Sequence, residues 1–524
     1  MQKRERAIMT SGIHHITLVT RKVQANVDFY AGFLGLRLVK QTGGFEDAEQ
    51  LHLLYGDRSG TPGSLITFLV WEDGSKGRVG HGQVSEIALA IDRAAIGFWL
   101  ERALRNHVAS EGPVQEFGAP VLRLRDPDGV IVKLVGSDLG ANDPWHTDDI
   151  APELAVRRIQ SATILSEVPE QTSAFITQNF GFSSQAREGT IERLVSQSGD
   201  AVDVRDASGF WPGIPGTGIA DHVAFRAASA DAVIKLGEDL LKRNSSDINV
   251  HDRKYFTSLY VREPGETLME YASDGPGFTI DEAVDSLGEI LFVPPGNDAQ
   301  ADAIRARLPQ FSRPGEERVI YRDLPFVHRI HQPENADGTM LVLLHGTGGN
   351  ENDLMPLAAS AAPNATLLGL RGRSTEEGIQ RWFRRYGQKR FDQADIAFEA
   401  EALAAFMEEA VQAYEIDLDK TAFIGNSNGA NMLAAFMRLH PHIVKNAVLL
   451  RAAEVLEEPP LASLSDAAIL LLKGGYDGFG DSDGSLEKAL RESGATVDIG
   501  VVDAGHNLTD EDVRKTGEWL KTRL

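Results

Sequence analysis

The stretch Gly12-Ile13-His14-His15-Ile16-Thr17-Leu18-Val19 decides the architecture of the N-terminal half. As a strand, its side chains alternate between two faces, so His14 and His15 point in opposite directions. One imidazole faces whatever the sheet encloses, and the other faces the back. The residues that follow complete a unit. Asn26–Leu36 reads as a short amphipathic helix ending at a glycine, and Leu36–Val39, Leu51–Tyr55 and Ser64–Trp71 read as strands. The turn Gly56–Gly63 separates the last two. One strand, one helix and three strands then restart at Val84, at Ile159 and at His222.

Residue alignment supports a repeat. Phe29–Leu36 superposes on Phe175–Phe182, and the same offset carries His15 onto Ser161. Arg125–Lys133 matches Arg262–Glu270, which sets Lys133 opposite Glu270; matching the opening strands sets Glu86 opposite His222. The differences between copies carry the chemistry. One set of equivalent positions holds His15, His222 and Glu270, and the other holds Ser161, Glu86 and Lys133. Two imidazoles and a carboxylate on one face form the donor set that leaves open positions on a non-haem Fe(II). In the second set, Lys133 pairs with Glu86 where a cation would otherwise sit. The reading is one metal site and one silent copy.

The βαβββ units, with Gly12–Thr17, Leu34–Lys40, Tyr55–Asp57, Gly60–Gly63 and Gly77–Gln83, resemble the vicinal-oxygen-chelate superfamily, and within it the ring-cleaving dioxygenases that act on hydroquinones. The resemblance extends from about residue 10 to 312, including the tail Gly277–Glu282 and Leu308-Pro309. It implies an α+β half of four modules: a first pair over 10–140, and a second pair with a C-terminal extension over 155–312. It also implies that His15, His222 and Glu270 bind Fe(II), with Mn(II) as a substitute. His14, Arg253 and Tyr260 become active-site neighbours that orient the substrate or move its protons, although simple alternation aims His14 away from the metal. Two competitors belong to the same superfamily. A glyoxalase-type lyase or isomerase needs a fourth protein ligand, which the sequence does not offer, and a metal-free binding module needs no triad.

At 524 residues the chain is too long for one core. A net charge of -24 argues against nucleic acid or an anionic membrane as a partner. The absence of cysteine removes disulfides, thiolate metal sites and cysteine nucleophiles. Met1–Met9 is charged and lacks the apolar core of a signal peptide. No apolar run approaches the ~18 residues of a membrane span. The expectation is a cytoplasmic protein, with self-association left open.

Residues 286–336 change character. Pro294–Asp298 and Ser312–Gly315 are breaker clusters around a short helix, Ala299–Leu308. A strand pair, Arg318–Tyr321 and Val327–His331, follows, and the boundary falls near 313. Then Met340–Leu344 runs into the glycine loop His345–Gly349. Thr366–Leu370, Ala422–Ile424, Ala447–Leu450, Ala468–Leu472 and Val497–Val502 are further apolar strands, alternating with helices such as Ile396–Tyr414. That alternation means a parallel α/β sheet, an α/β-hydrolase domain over 315–524.

The strand at 422 enters Gly425-Asn426-Ser427-Asn428-Gly429, followed by the helix Ala430–Leu439. Flanking glycines permit the strained turn that exposes a nucleophilic serine. Asp477 and His506 each follow a later strand, in the hydrolase order Ser, Asp, His. His506 takes the Ser427 proton and Asp477 fixes the imidazole. The oxyanion donors are the amides of Asn428 and of Thr347. Asp481 and Asp483 are rivals for the acid role, and His440 and His442 read as surface residues. Arg371, Arg373, Arg381, Arg384 and Arg385 form either a solvated basic face or a holder for a substrate carboxylate.

This half resembles the small carboxylesterase/phospholipase group of the α/β-hydrolases. It has no room for a large lid, which suits small soluble esters or thioesters. The sequence as a whole reads as a bifunctional enzyme, an Fe(II)-dependent dioxygenase using O2 on hydroquinone- or catechol-like rings joined to a serine esterase. The other readings are a glyoxalase joined to a thioesterase, and a binding module joined to an esterase.

Overall fold

The computed structural model describes residues 11–243, 248–318, 324–387, 389–458 and 462–524. It divides into two compact units, one of residues 11–295 and 309–318, the other of 296–308 and 324–524. The short helix Ala301–Arg307 therefore belongs with the hydrolase unit and not, as its sequence position suggests, with the second module pair. The reason is packing: Ala306 is buried in the same apolar cluster as Leu341, Leu357 and Trp519. Of the strand pair expected in the joint, His328–His331 forms, whereas residues 319–323 lie outside the described residues.

In the first unit all four βαβββ modules are present, and they share two sheets. The modules opened by Ile13–Thr20 and Ala220–Ala227 form one side of the site in a nine-stranded sheet. Those opened by Gln83–Ile91 and Arg158–Ser166 form an eight-stranded sheet. Sheet pairing thus joins the first module to the fourth and the second to the third. All eight residues of Ile13–Thr20 are buried, as expected for a central strand covered on both faces. The module helices end alike: Gly35 and Gly181 hold φ of 69° and 73°, the left-handed region that glycine enters without a Cβ clash.

The two sheets keep the same register. Thr17 lies opposite His222, His15 opposite Ala224, and Ala224 opposite Glu270. In the other sheet, Thr163 lies opposite Glu86, Ser161 opposite Ala88, and Ala88 opposite Lys133. The two sets of three residues therefore occupy the same three places in two copies of one scaffold.

The second unit is an α/β-hydrolase. Its seven-stranded sheet runs in the order His328–His331, Thr366–Leu370, Met340–Leu344, Thr421–Asn426, Asn446–Leu450, Ala468–Gly474, Thr496–Val502. Only the first of these strands is antiparallel to its neighbour. Helices Gln393–Ala413 and Asn428–Leu439 bury Leu403, Phe406, Leu433 and Phe436 on one face of it. Among the described residues, no helix is long and apolar enough to cross a membrane.

Candidate functional sites

In the nine-stranded sheet, His15, His222 and Glu270 converge. Their ligand atoms all lie within 4.8 Å of one another. Nε2 of His15 is 3.1 Å, and Nε2 of His222 2.8 Å, from the same Glu270 oxygen, Oε2; the two nitrogens are 3.2 Å apart. Glu270 is wholly buried, yet neither of its oxygens takes an aligned hydrogen bond. A buried carboxylate in that condition needs a positive partner. Burial alone would raise its pKa, but the His15 and His222 imidazoles outweigh it and hold the carboxyl well below its usual range. His222 is correspondingly lifted to about 9, because the Asp221 and Glu270 carboxylates overcome its burial. The donors and their unmet polarity fit a divalent cation.

Each imidazole is also held from its far side. His222 Nδ1 donates to Asp221 at 2.7 Å. His15 Nδ1 lies 2.9 Å from Nδ1 of His14, with the rings edge to face at 5.1 Å. Strict alternation would have separated the two rings. The strand instead slips register against its antiparallel partner between Ile13 and His15, and the extra residue there is His14. His14 does not line the cavity above the cluster, so direct contact with substrate, implied by the family resemblance, gives way to contact with His15.

That cavity, about 470 Å³, is lined by Arg253 and Tyr260 among others. The Arg253 guanidinium bonds Glu46 at 2.7 Å and lies 5.6 Å from the centre of the Tyr260 ring. Burial, then Glu270, pushes the Tyr260 phenol well above its ordinary range. His52 lines the same cavity; its Nε2 is shielded and has no partner. Burial lowers that imidazole to about 4, so it stays neutral.

In the eight-stranded sheet the corresponding places are filled by an ion pair. The Lys133 ammonium lies 2.9 Å from Glu86 and 3.1 Å from Glu116, and Ser161 donates to Asp203 at 3.1 Å. These places thus hold a tethered ammonium in the register where the other sheet gathers His15, His222 and Glu270.

In the second unit the strand Thr421–Asn426 ends at Ser427, whose φ of 49° and ψ of −114° make the sharp turn into Asn428–Leu439. His506 Nε2 is 2.8 Å from Ser427 Oγ, and its Nδ1 is 3.0 Å from both Asp477 oxygens. Of the rival acids, Asp481 instead accepts the amides of Leu486 and Glu487 and pairs with Lys473, and Asp483 accepts from Ser485. Neither reaches the imidazole. Thr347 and Asn428 line the same cavity as Ser427 and His506, about 740 Å³ in size. A Cβ on Gly346 would come within 3.1 Å of Asn426, so the glycine lets this loop approach the elbow. His440 and His442 lie against the carboxylates Glu401 and Asp466, away from this cavity.

Comparison with known proteins follows the same division. The profile of the glyoxalase/bleomycin resistance protein/dioxygenase superfamily matches residues 12–134. The putative ring-cleaving dioxygenase MhqO of Bacillus subtilis (strain 168) is 34% identical over 313 residues, 59% of this chain and 98% of the relative. The chain belongs to this superfamily. A chlorohydroquinone/hydroquinone 1,2-dioxygenase of Sphingobium indicum is 33% identical over 307 residues, 56% of this chain and 94% of that protein. The C-terminal half is 32% identical over 197 residues to the putative hydrolase MhqD of Bacillus subtilis (strain 168), covering 37% of this chain and 98% of the relative. Two separate proteins of that organism are thus matched by one chain here.

Within this superfamily member, the sequence missed His52, Asp221 and Phe256 as cavity residues. Alternation along Leu51–Gly56 puts His52 and Leu54 on one face, and both line the cavity, so the strand reading held the signal. The arginine cluster divides. Arg371, Arg373 and Arg384 pair with Glu351, Glu399 and Asp395 and do not line the hydrolase cavity, whereas Arg381 and Arg385 do.

Proposed function

We propose that this chain is a bifunctional enzyme. Its first unit is an Fe(II)-dependent ring-cleaving dioxygenase for hydroquinone- or catechol-like aromatics, with Mn(II) as an alternative ion. Its second unit is a serine esterase for small soluble esters or thioesters. The observation that carries the first half is the wholly buried Glu270 carboxylate, left without aligned hydrogen bonds between two imidazoles at the floor of a ring-sized cavity.

His15, His222 and Glu270 would hold the ion, which supplies redox exchange between an electron-rich phenolate and O2. The protein's own groups do the rest. Tyr260 keeps its proton and donates to a ring oxygen, and Arg253 sets a positive charge beside a developing phenolate. His52, neutral and with its Nε2 unpartnered, can accept a hydrogen bond from a ring hydroxyl and so orient it. Asp221 and His14 hold the ligand imidazoles in one tautomer and orientation. A glyoxalase reading needs a fourth protein ligand, and among the described residues the cluster has three.

In the second unit, His506 accepts the proton as Ser427 Oγ attacks the acyl carbon. Asp477 stabilises the imidazolium. The amides of Asn428 and Thr347 take the oxyanion, and His506 then protonates the leaving group. The similarity of this chain to two proteins named as a dioxygenase and a hydrolase supports both halves. The test is anaerobic purification with metal analysis, then oxygen uptake on hydroquinones and catechols beside ester hydrolysis. His15→Ala should remove bound metal and oxygen uptake and spare hydrolysis; Ser427→Ala should do the reverse. A folded variant that lost both activities would refute two independent sites.

A further inference from the structure

The wall of the hydrolase cavity carries two guanidinium groups that share a single carboxylate. Arg381 ends the strand Ile379–Arg381, lines the cavity with Ser427, and has a side chain only 4% exposed. Its Nη1 donates to Thr347 Oγ1 at 3.1 Å, which sets the guanidinium beside the oxyanion loop. The nearest carboxylate, Glu376, is 3.4 Å away and is already gripped by Arg385, whose Nε bonds its two oxygens at 2.9 and 3.1 Å. One carboxylate therefore serves two guanidinium groups, both of them lining the cavity. Burial and the charge of Arg385 depress the Arg381 pKa, as expected for a cation short of partners.

Three other charged groups lining the cavity have partners of their own. Glu454 takes a two-point bond from Arg438 at 2.7 and 2.8 Å, and Arg451 makes the same bond to Asp512. Asp481 holds Lys473 at 3.0 Å. In a chain of net charge -24, two arginines that share one carboxylate line the same cavity as Ser427.

Resting on the serine-hydrolase reading above, we propose that Arg381 and Arg385 form a carboxylate-binding subsite, so that the esterase takes acyl substrates that carry a carboxylate. Two-point recognition of a carboxylate suits arginine, and a buried, under-compensated guanidinium binds an anion at little further desolvation cost. The chemistry also places the reaction. Ring opening by O2 breaks one ring C–C bond and leaves one oxygen atom on each carbon. The hydroxyl-bearing carbon becomes a carboxyl group and its neighbour a carbonyl. The ring is oxidised and O2 is reduced with no further reductant. Oxidative ring cleavage thus produces anions of the class the subsite fits, and the hydrolase would act on an acyl bond in a carboxylate-bearing descendant of that product.

The test uses the full chain and two chromogenic esters of similar length, neutral 4-nitrophenyl butyrate and anionic 4-nitrophenyl hemisuccinate. Arg381→Gln and Arg385→Gln should each lower the ratio of kcat/KM for the anionic over the neutral ester by about tenfold, chiefly through KM. Arg381→Lys should retain more of that ratio than Arg381→Gln. An unchanged ratio in Arg385→Gln, whose half-buried side chain makes it the safer variant for folding, would overturn the subsite. Ser427→Ala is the separate control: hydrolysis surviving it would refute the serine-hydrolase reading itself, whatever the ratio does.

Discussion

Arg451 and Asp512 form an ion pair from which solvent is wholly excluded, closed by two bonds of 2.7 and 2.8 Å. Two of the guanidinium's other hydrogens go to the main-chain carbonyls of Gly505 and Asn507, on either side of His506. Arg451 directly follows its strand with φ of 57°, an uncommon conformation for any residue but glycine. A buried pair is weak evidence for stability, because desolvation offsets most of its attraction. Its hydrogen-bond geometry is better explained by what it fixes: the backbone that carries the His506 imidazole.

Arg451→Met should therefore leave Asp512 as an uncompensated buried charge and destabilise the hydrolase unit by roughly 3–5 kcal/mol. The double variant Arg451→Met with Asp512→Leu should recover much of that stability in urea unfolding. It should still hydrolyse esters about tenfold or more slowly, because the carbonyls beside His506 have lost their donors. Full activity in the double variant would mean that the pair serves stability alone.

Asp477 and Asp481 should separate cleanly. Asp477→Asn leaves the imidazole without its charged partner and should cost on the order of 10⁴ in kcat. Asp481→Asn should reduce stability by about 1 kcal/mol, through the amides it accepts at the start of Ser485–Glu492 and its pair with Lys473, with kcat changed far less. Steady-state kinetics and thermal melts on the two variants decide it.

His14 should act on the metal through His15. Replacing it with phenylalanine should weaken metal binding by roughly 10–100-fold in chelator competition, whereas asparagine, which keeps an acceptor, should weaken it less. Chelation of the wild-type protein should abolish oxygen uptake and leave ester hydrolysis intact.

His331 gives the hydrolase unit an acid sensitivity. Burial, with Arg329, lowers its pKa to about 4, and its Nδ1 has no hydrogen-bond partner. The folded state therefore keeps it neutral, while the unfolded chain protonates it at about 6.5. Its contribution is complete above pH 6.5 and is lost as pH falls toward 4, by about 2 kcal/mol at pH 5. Urea unfolding at pH 7 and pH 5 should show that loss in the wild type, and His331→Leu should flatten it.

Much of this was legible in the sequence because it was written in order and register. Ser427, Asp477 and His506, which meet in the second unit, each follow a strand of one sheet, so chain order pointed to them. The repeat aligned His15, His222 and Glu270 because strand pairing preserves sequence register. What stayed hidden depended on tertiary partners. The insertion at His14 is visible only against the neighbouring strand. Ala301–Arg307 is a short helix that could cover either half, and its choice rests on Leu341, Leu357 and Trp519. The arginines looked alike until Glu351, Glu399 and Asp395 were found beside three of them.

Lys133 carries a last consequence. The silent sheet shows that this scaffold accepts a tethered ammonium where the live sheet gathers its ligands, in the same register. The chain thus contains its own off-switch design, a lysine in the place of Glu270 and, to pair with it, a glutamate in the place of His222. Transplanting it as Glu270→Lys with His222→Glu should yield a folded protein with an ester-splitting half intact and a ring-opening half that no added iron can revive. Such a variant would let the two activities be counted separately inside a cell.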